Sequence, residues 1–69
     1  MPIITVNLLT GRDASKKKAL IRELADAAVR ALDVPIASVR VILNEVPPEQ
    51  WGIGNETKAD QVAKAELEK

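Results

Sequence analysis

The most distinctive chemical group in this chain lies at its start. Pro2 follows Met1, and methionine aminopeptidases remove Met before small residues, Pro included. The group left behind would be a secondary amine on a rigid ring. An ordinary α-amino group titrates at about 7.7–8.0. An apolar site and neighbouring cations both disfavour its charged form and pull that value down. A base poised near neutral pH is what proton shuttling requires. The competing reading, which position alone favours, is that Pro2 simply starts an edge strand.

Elimination sharpens the choice of chemistry. The chain has no His and no Cys, so the commonest general base, the commonest metal ligand, thiolate metal sites and disulfides are all absent. With Ser15 and Ser38 the only serines, the usual nucleophile–base pairings are missing. No glycine-rich phosphate loop occurs, since Gly11 stands alone and Gly52 and Gly54 follow a strand. Glu23 and Asp26 fall toward the solvated part of a helix and make no obvious carboxylate pair.

Two arginines and one aromatic remain. Arg12 follows Gly11 just after the first strand, where a solvated loop charge is its plainest role. Arg40 starts the second strand on the face away from the helix. A strand arginine beside apolar residues is costly unless it is paired or lines a site. Its guanidinium suits bidentate recognition of a carboxylate, and an intersubunit salt bridge would satisfy it equally well. Trp51, the single aromatic residue, adjoins flexible glycines. It could wall a small site or pack in a core or interface.

The elements that would position these residues are short. Residues 2–9 are rich in β-branched and apolar types and predict a strand. Ile4, Val6 and Leu8 share one face, and Ile3, Thr5, Asn7 and Leu9 the other. Asp13 is a helix N-cap, and the helix is expected to run to about Leu32. Leu20, Ile21, Leu24, Ala28, Ala31 and Leu32 recur at helical spacing, and Lys17, Lys18, Arg22, Asp26 and Arg30 form the solvated side. Pro35 disfavours helical geometry at Val34. Residues 39–46 predict a second strand, with Val39, Val41 and Leu43 on one face and Arg40, Ile42 and Asn44 on the other. Pro47-Pro48 stops it. Gly52-Ile53-Gly54 marks a turn or short hairpin, and Thr57 with Asp60 signals a short helix in the polar tail.

Strand, helix and strand over residues 2–46 form a βαβ unit, with parallel strands and a right-handed crossover expected. The turn and tail follow at 47–69, and the whole chain reads as one α+β domain. At 69 residues it is short enough to need a staple, and oligomerisation is the one left. A two-stranded sheet is not stable alone, and nothing in the chain covers the Arg40/Ile42 face, so a second copy is expected there. Ten basic and ten acidic residues balance, which argues against nucleic-acid and polybasic membrane surfaces. No apolar run approaches the ~20 residues of a membrane span, and no secretory pattern opens the chain. A cytoplasmic protein is expected.

Five segments together resemble the short-subunit branch of the 4-oxalocrotonate tautomerase family: Pro2-Ile3, Leu8-Leu9-Thr10-Gly11-Arg12, Leu20-Ile21-Arg22-Glu23, Ser38-Val39-Arg40-Val41-Ile42 and Trp51-Gly52-Ile53-Gly54. The resemblance covers residues 2–54. It implies a hexamer built as a trimer of βαβ dimers, with no cofactor and no metal. It also implies interconversion of small 2-hydroxy-dienoates, such as 2-hydroxymuconate, and their 2-oxo isomers in aromatic-compound degradation. Pro2 would move the proton as catalytic base and acid. Arg40 would hold the reacting end and stabilise its charge, and Arg12 would bind the distal carboxylate. Trp51 would keep the site dry, and the backbone of Leu9 and Ser38 would line it. Trp51 stands where the family usually has Phe, and the tail after Gly54 is longer and more charged than usual.

Two alternatives differ in specific features. A haloacrylate dehalogenase or hydratase on the same scaffold needs a water-activating carboxylate and usually a second arginine near the end of the first strand; here Leu8-Leu9 and Ile53 occupy those regions. A non-catalytic subunit is implied if Met1 is retained, because the Pro2 nitrogen is then an amide.

Overall fold

A computed structural model describes residues 1–67; residues 68–69 of the charged tail lie outside the described residues. Strand β1 spans Ile3–Leu9, helix α1 Ala14–Leu32 and strand β2 Arg40–Val46. β1 and β2 pair in parallel, from Ile3 opposite Arg40 to Leu9 opposite Val46. Short 3₁₀ turns at Ile36–Ser38 and Pro48–Gln50 flank β2. The chain then forms a hairpin, β3 (Gly52–Ile53) with β4 (Glu56–Thr57), and helix α2 (Lys58–Leu67).

Local chemistry explains the boundaries. Gly11 takes φ +122° between β1 and α1, a conformation that favours glycine. The Asp13 carboxylate caps α1, accepting from the Lys16 amide at 2.9 Å and the Ser15 hydroxyl at 2.8 Å. These two donors hold the Asp13 carboxyl below its ordinary range. Asp33 ends the helix at φ 55°, its amide donating to the Val29 carbonyl at 2.9 Å, and Pro35 follows. In the tail, Asp60 N–H donates to Thr57 Oγ1 at 3.0 Å while Thr57 N–H donates to Asp60 Oδ2 at 3.3 Å. This reciprocal box starts α2, and a Lys64–Glu56 ion pair ties α2 to β4. Gly54, at φ +64°, is first in the two-residue hairpin loop, where a positive φ matches the twist of the strands.

α1 lies over β2. Two features depart from the expected helix faces. Lys17 is only half-exposed and paired: its ammonium meets Glu45 of β2 at 2.5 Å, with both side chains about a third exposed. Glu45 follows Val41 and Leu43 on the helix-facing side of β2, so the strand itself presents an acid to the helix. Ile21, Ala31 and Leu32 remain exposed, while Leu20 and Leu24 are half-buried and Ala28 is buried. Two strands ~4.8 Å apart are narrower than a helix ~10 Å across, so only the central stripe of α1 finds support.

Among the described residues, Leu8 and Ala28 are the buried hydrophobics. Ile3 and Ile42 stand exposed on the sheet face away from α1. The chain exposes 5238 Å², against about 4,250 Å² for a compact monomer of its mass. The excess of about 1,000 Å² matches what one partner contributes to a standard interface.

Candidate active site

The structure sorts the predicted site residues into two groups at opposite ends of β1 and β2. Pro2 and Arg40 belong to the first end, where the Arg40 amide donates to the Pro2 carbonyl at 3.0 Å. The bond extends the β1/β2 ladder by one residue and places the Pro2 ring beside the start of β2. Arg40 sits on the uncovered face and is exposed. Its guanidinium is turned back on the preceding turn, with Nη1 donating to the Ala37 carbonyl at 2.7 Å and the Val39 carbonyl at 3.3 Å. Ser38 lies in the same turn, its hydroxyl donating to the Pro35 carbonyl at 2.8 Å. Met1 projects from this end with its side chain exposed.

Leu9, Arg12 and Trp51 form the second group. The Leu9 carbonyl accepts from Arg12 Nη1 at 3.2 Å, which folds the arginine over the end of β1. Trp51 follows the turn that closes β2. Its amide donates to the Pro48 carbonyl at 3.3 Å, and its carbonyl accepts from the Lys58 amide at 2.8 Å. The Trp51 backbone is therefore held between the β2 exit and the hairpin, and the residue is half-buried. The Lys17–Glu45 pair fastens the first turn of α1 near this end, since Glu45 lies opposite Leu8. That pair was not anticipated from the sequence, though Glu45 on an otherwise apolar strand face was its signal.

The two groups do not meet within one chain. Ile3 and Leu9 are separated by about 20 Å at ~3.3 Å per strand residue. Among the described residues a single chain encloses no pocket. No three Asp, Glu, His or Cys side chains converge as a metal site among those residues, and no described helix is long and apolar enough to cross a membrane. Each end thus carries one of the two predicted arginines, Arg40 with Pro2 at one and Arg12 with Leu9 at the other.

Comparisons with known proteins bear on the family and the fold. The family model described as tautomerase enzyme matches residues 2–61. A 2-hydroxymuconate tautomerase of Stutzerimonas stutzeri is 47% identical over 57 residues, covering 83% of this chain and 90% of that protein. The crystal structure of a 4-oxalocrotonate tautomerase homologue in the tomaymycin biosynthetic pathway superposes with a TM-score of 0.88 at 42% identity, covering 90% of this chain and 95% of that one. A heterohexamer 4-oxalocrotonate tautomerase from Chloroflexus aurantiacus gives a TM-score of 0.83 at 42% identity, covering 87% of this chain and 97% of its own. With a parallel βαβ unit, a following hairpin and relatives at this identity across most of both chains, the protein belongs to the tautomerase family of enzymes.

Proposed function

We propose that this chain is a cofactor-independent keto–enol tautomerase of 2-hydroxy-dienoates, with Pro2 as base and acid after removal of Met1. One observation carries the reading: Pro2 and Arg40 are joined at one sheet end by a 3.0 Å backbone hydrogen bond, in a chain without His or Cys. Met1 is exposed there, so its loss removes no buried packing. The freed amine takes the proton from the 2-hydroxyl of a dienol such as 2-hydroxymuconate. The double bonds shift toward C3=C4, C2 becomes a carbonyl carbon, and the same amine returns the proton at C5. Negative charge develops on the C2 oxygen, and Arg40, with five N–H donors, stabilises it together with the adjacent carboxylate. Arg12 binds the distal carboxylate, Trp51 excludes water, and the backbone of Leu9 and Ser38 lines the pocket. The substrate class is supported by the Stutzerimonas stutzeri relative, whose name specifies 2-hydroxymuconate.

The 20 Å between the two groups requires that each site combine more than one chain. The proposed assembly is a hexamer of antiparallel dimers, in which Arg12 of one chain approaches Pro2 of its neighbour. The excess surface and the exposed Ile3/Ile42 face support it.

The test pairs an intact mass with a pH–rate profile on 2-hydroxymuconate. A mass lacking one Met residue and an ascending limb of kcat/KM below the ordinary α-amino range are expected. Pro2→Ala, which leaves a primary amine, should retain some activity. Full activity in a chain with a blocked amino terminus would overturn the mechanism.

A further inference from the structure

Residues 10–16, which lead from β1 into the first turn of α1, are all exposed. Gly11 lies among them at φ +122°, and a Cβ built there would meet nothing within 4 Å. The segment is therefore held by its ties to the sheet and not by packing. One tie is at its start, where the Thr10 amide donates to the Val46 carbonyl at 3.1 Å. The other is at its end. Lys17 is the first residue of α1 that is not exposed, and its ammonium meets Glu45 at 2.5 Å. Glu45 and Val46 are neighbours in β2, so both ends of the segment are pinned to the last turn of one strand.

Arg12 sits between those ties. Its neighbour Asp13 is bound to the first turn twice: the carboxylate accepts from the Lys16 amide at 2.9 Å, and the carbonyl from the Lys17 amide at 3.2 Å. A displacement of Lys17 is passed to Asp13, and through one peptide unit to Arg12. Among the described residues, Lys17–Glu45 is the ion pair that joins α1 to the sheet; Arg22–Glu23 lies within α1, and Lys64–Glu56 joins α2 to β4. Glu45 also stands opposite Leu8, one residue before the Leu9 carbonyl that accepts from Arg12 Nη1. A strand face covered by a helix ordinarily continues apolar, so an acid after Val41 and Leu43 is a departure that the tie to Lys17 explains.

We propose, resting on the role given to Arg12 in the proposed function, that Lys17 and Glu45 are positioning residues for Arg12 and set the preference for dicarboxylate over monocarboxylate enols. Arg12 meets the distal carboxylate from an exposed segment, and a segment already held in place costs less to order on binding. The pair supplies that hold without touching substrate. An ion pair of this exposure biases the placed arrangement by about three- to fivefold. The apparent affinity for the distal carboxylate changes by the same ratio.

Initial-rate kinetics on 2-hydroxymuconate and on phenylenolpyruvate, a monocarboxylate enol, test it. The variants are Lys17→Met, Glu45→Gln and the exchanged pair, Lys17→Glu with Glu45→Lys, with circular dichroism as the folding control. Each single variant should raise KM for 2-hydroxymuconate about three- to fivefold, leave its kcat unchanged and leave phenylenolpyruvate turnover unmoved. A general loss of fold or assembly would instead move both substrates. The exchanged pair should return KM toward wild type, and glutamate is itself favoured in the first turn of a helix. A pair acting only through its field behaves differently: Lys17→Met removes a cation and Glu45→Gln an anion, so the two would shift KM in opposite directions. Opposite shifts, an unchanged KM, equal losses on both substrates, or an exchanged pair no better than the single variants overturn the positioning role while leaving that of Arg12 standing. A KM for 2-hydroxymuconate unmoved by Arg12→Ala overturns both.

Discussion

The proposed division of the active site between chains makes a numerical prediction for mixed assemblies. Within one chain Ile3 and Leu9 stand about 20 Å apart along β1. The carboxylates of a six-carbon diacid are only about 7 Å apart, and an extended arginine side chain reaches about 7 Å further at ordinary bond lengths. The sum falls short of the separation, and Arg12 is already folded onto the Leu9 carbonyl. Pro2 and Arg12 of the same chain therefore do not grip one substrate. Two defective chains expose the arrangement: Pro2→Glu, whose bulky second residue retains Met1 and leaves an amide nitrogen, and Arg12→Ala. Each parent lacks one half of every site.

Unfolded together in equal amounts and refolded, the chains combine at random. A site then draws an intact Pro2 from one chain with probability one half, and an intact Arg12 from its neighbour with the same probability. About one quarter of the sites are whole, so about one quarter of the wild-type kcat/KM for a dicarboxylate enol should return. The assay is initial-rate kinetics below KM, with native mass spectrometry verifying that mixed oligomers formed. Activity no higher than the mean of the parents, in verified mixed oligomers, would place both residues in one chain and refute the shared site.

Arg40→Ala should lower kcat on 2-hydroxymuconate by about a hundredfold, because its interaction strengthens as charge develops on the C2 oxygen. Arg12→Ala should chiefly raise KM for dicarboxylates and leave monocarboxylate enols nearly unchanged; equal losses on both substrate types would remove Arg12 from carboxylate binding. Asp13→Ala should lower the thermal midpoint at neutral pH, since the Lys16 amide loses its cap. The folded-state pKa of Asp13 lies below the ordinary 3.8, so the cap's stabilisation is present above that value and lost as pH falls through the lower one. The difference in midpoint between wild type and Asp13→Ala should therefore narrow in acid below pH 3.8, and a constant difference down to the acid limit would refute the capping role.

Most of the fold was legible in the sequence because its signals are local. Asp13, Gly11 and the Asp33–Pro35 stop delimit α1 within one residue of the expected bounds. Alternation identified both strands, and the Thr57/Asp60 pair marked the start of α2. The readings that failed concern faces. Helical spacing assigns Ile21 and Leu32 to the core, but periodicity carries no information about how wide a surface the sheet offers. Lys17 was assigned to solvent because lysine usually belongs there; its partner Glu45 is 28 residues away in the chain and becomes visible only when α1 is laid over β2. The residues of the proposed site were chosen by type, and the registry of β1 on β2 shows which of them share an end.

The same geometry links the weak core to the chemistry. A proton shuttle at a chain terminus needs dry walls, and a 69-residue chain whose buried hydrophobics among the described residues are Leu8 and Ala28 has little core with which to wrap its own terminus. The proposed site has its base at one end of the sheet and Arg12 with Trp51 at the other, so on that proposal it is complete only when a neighbour arrives. The exposed Ile3/Ile42 face is the surface that proposal gives the neighbour. Desolvation that stabilises the assembly also removes water from around Pro2, where it favours the neutral amine. A substitution that loosens the interface should on this account raise the apparent pKa of the amine before it abolishes turnover.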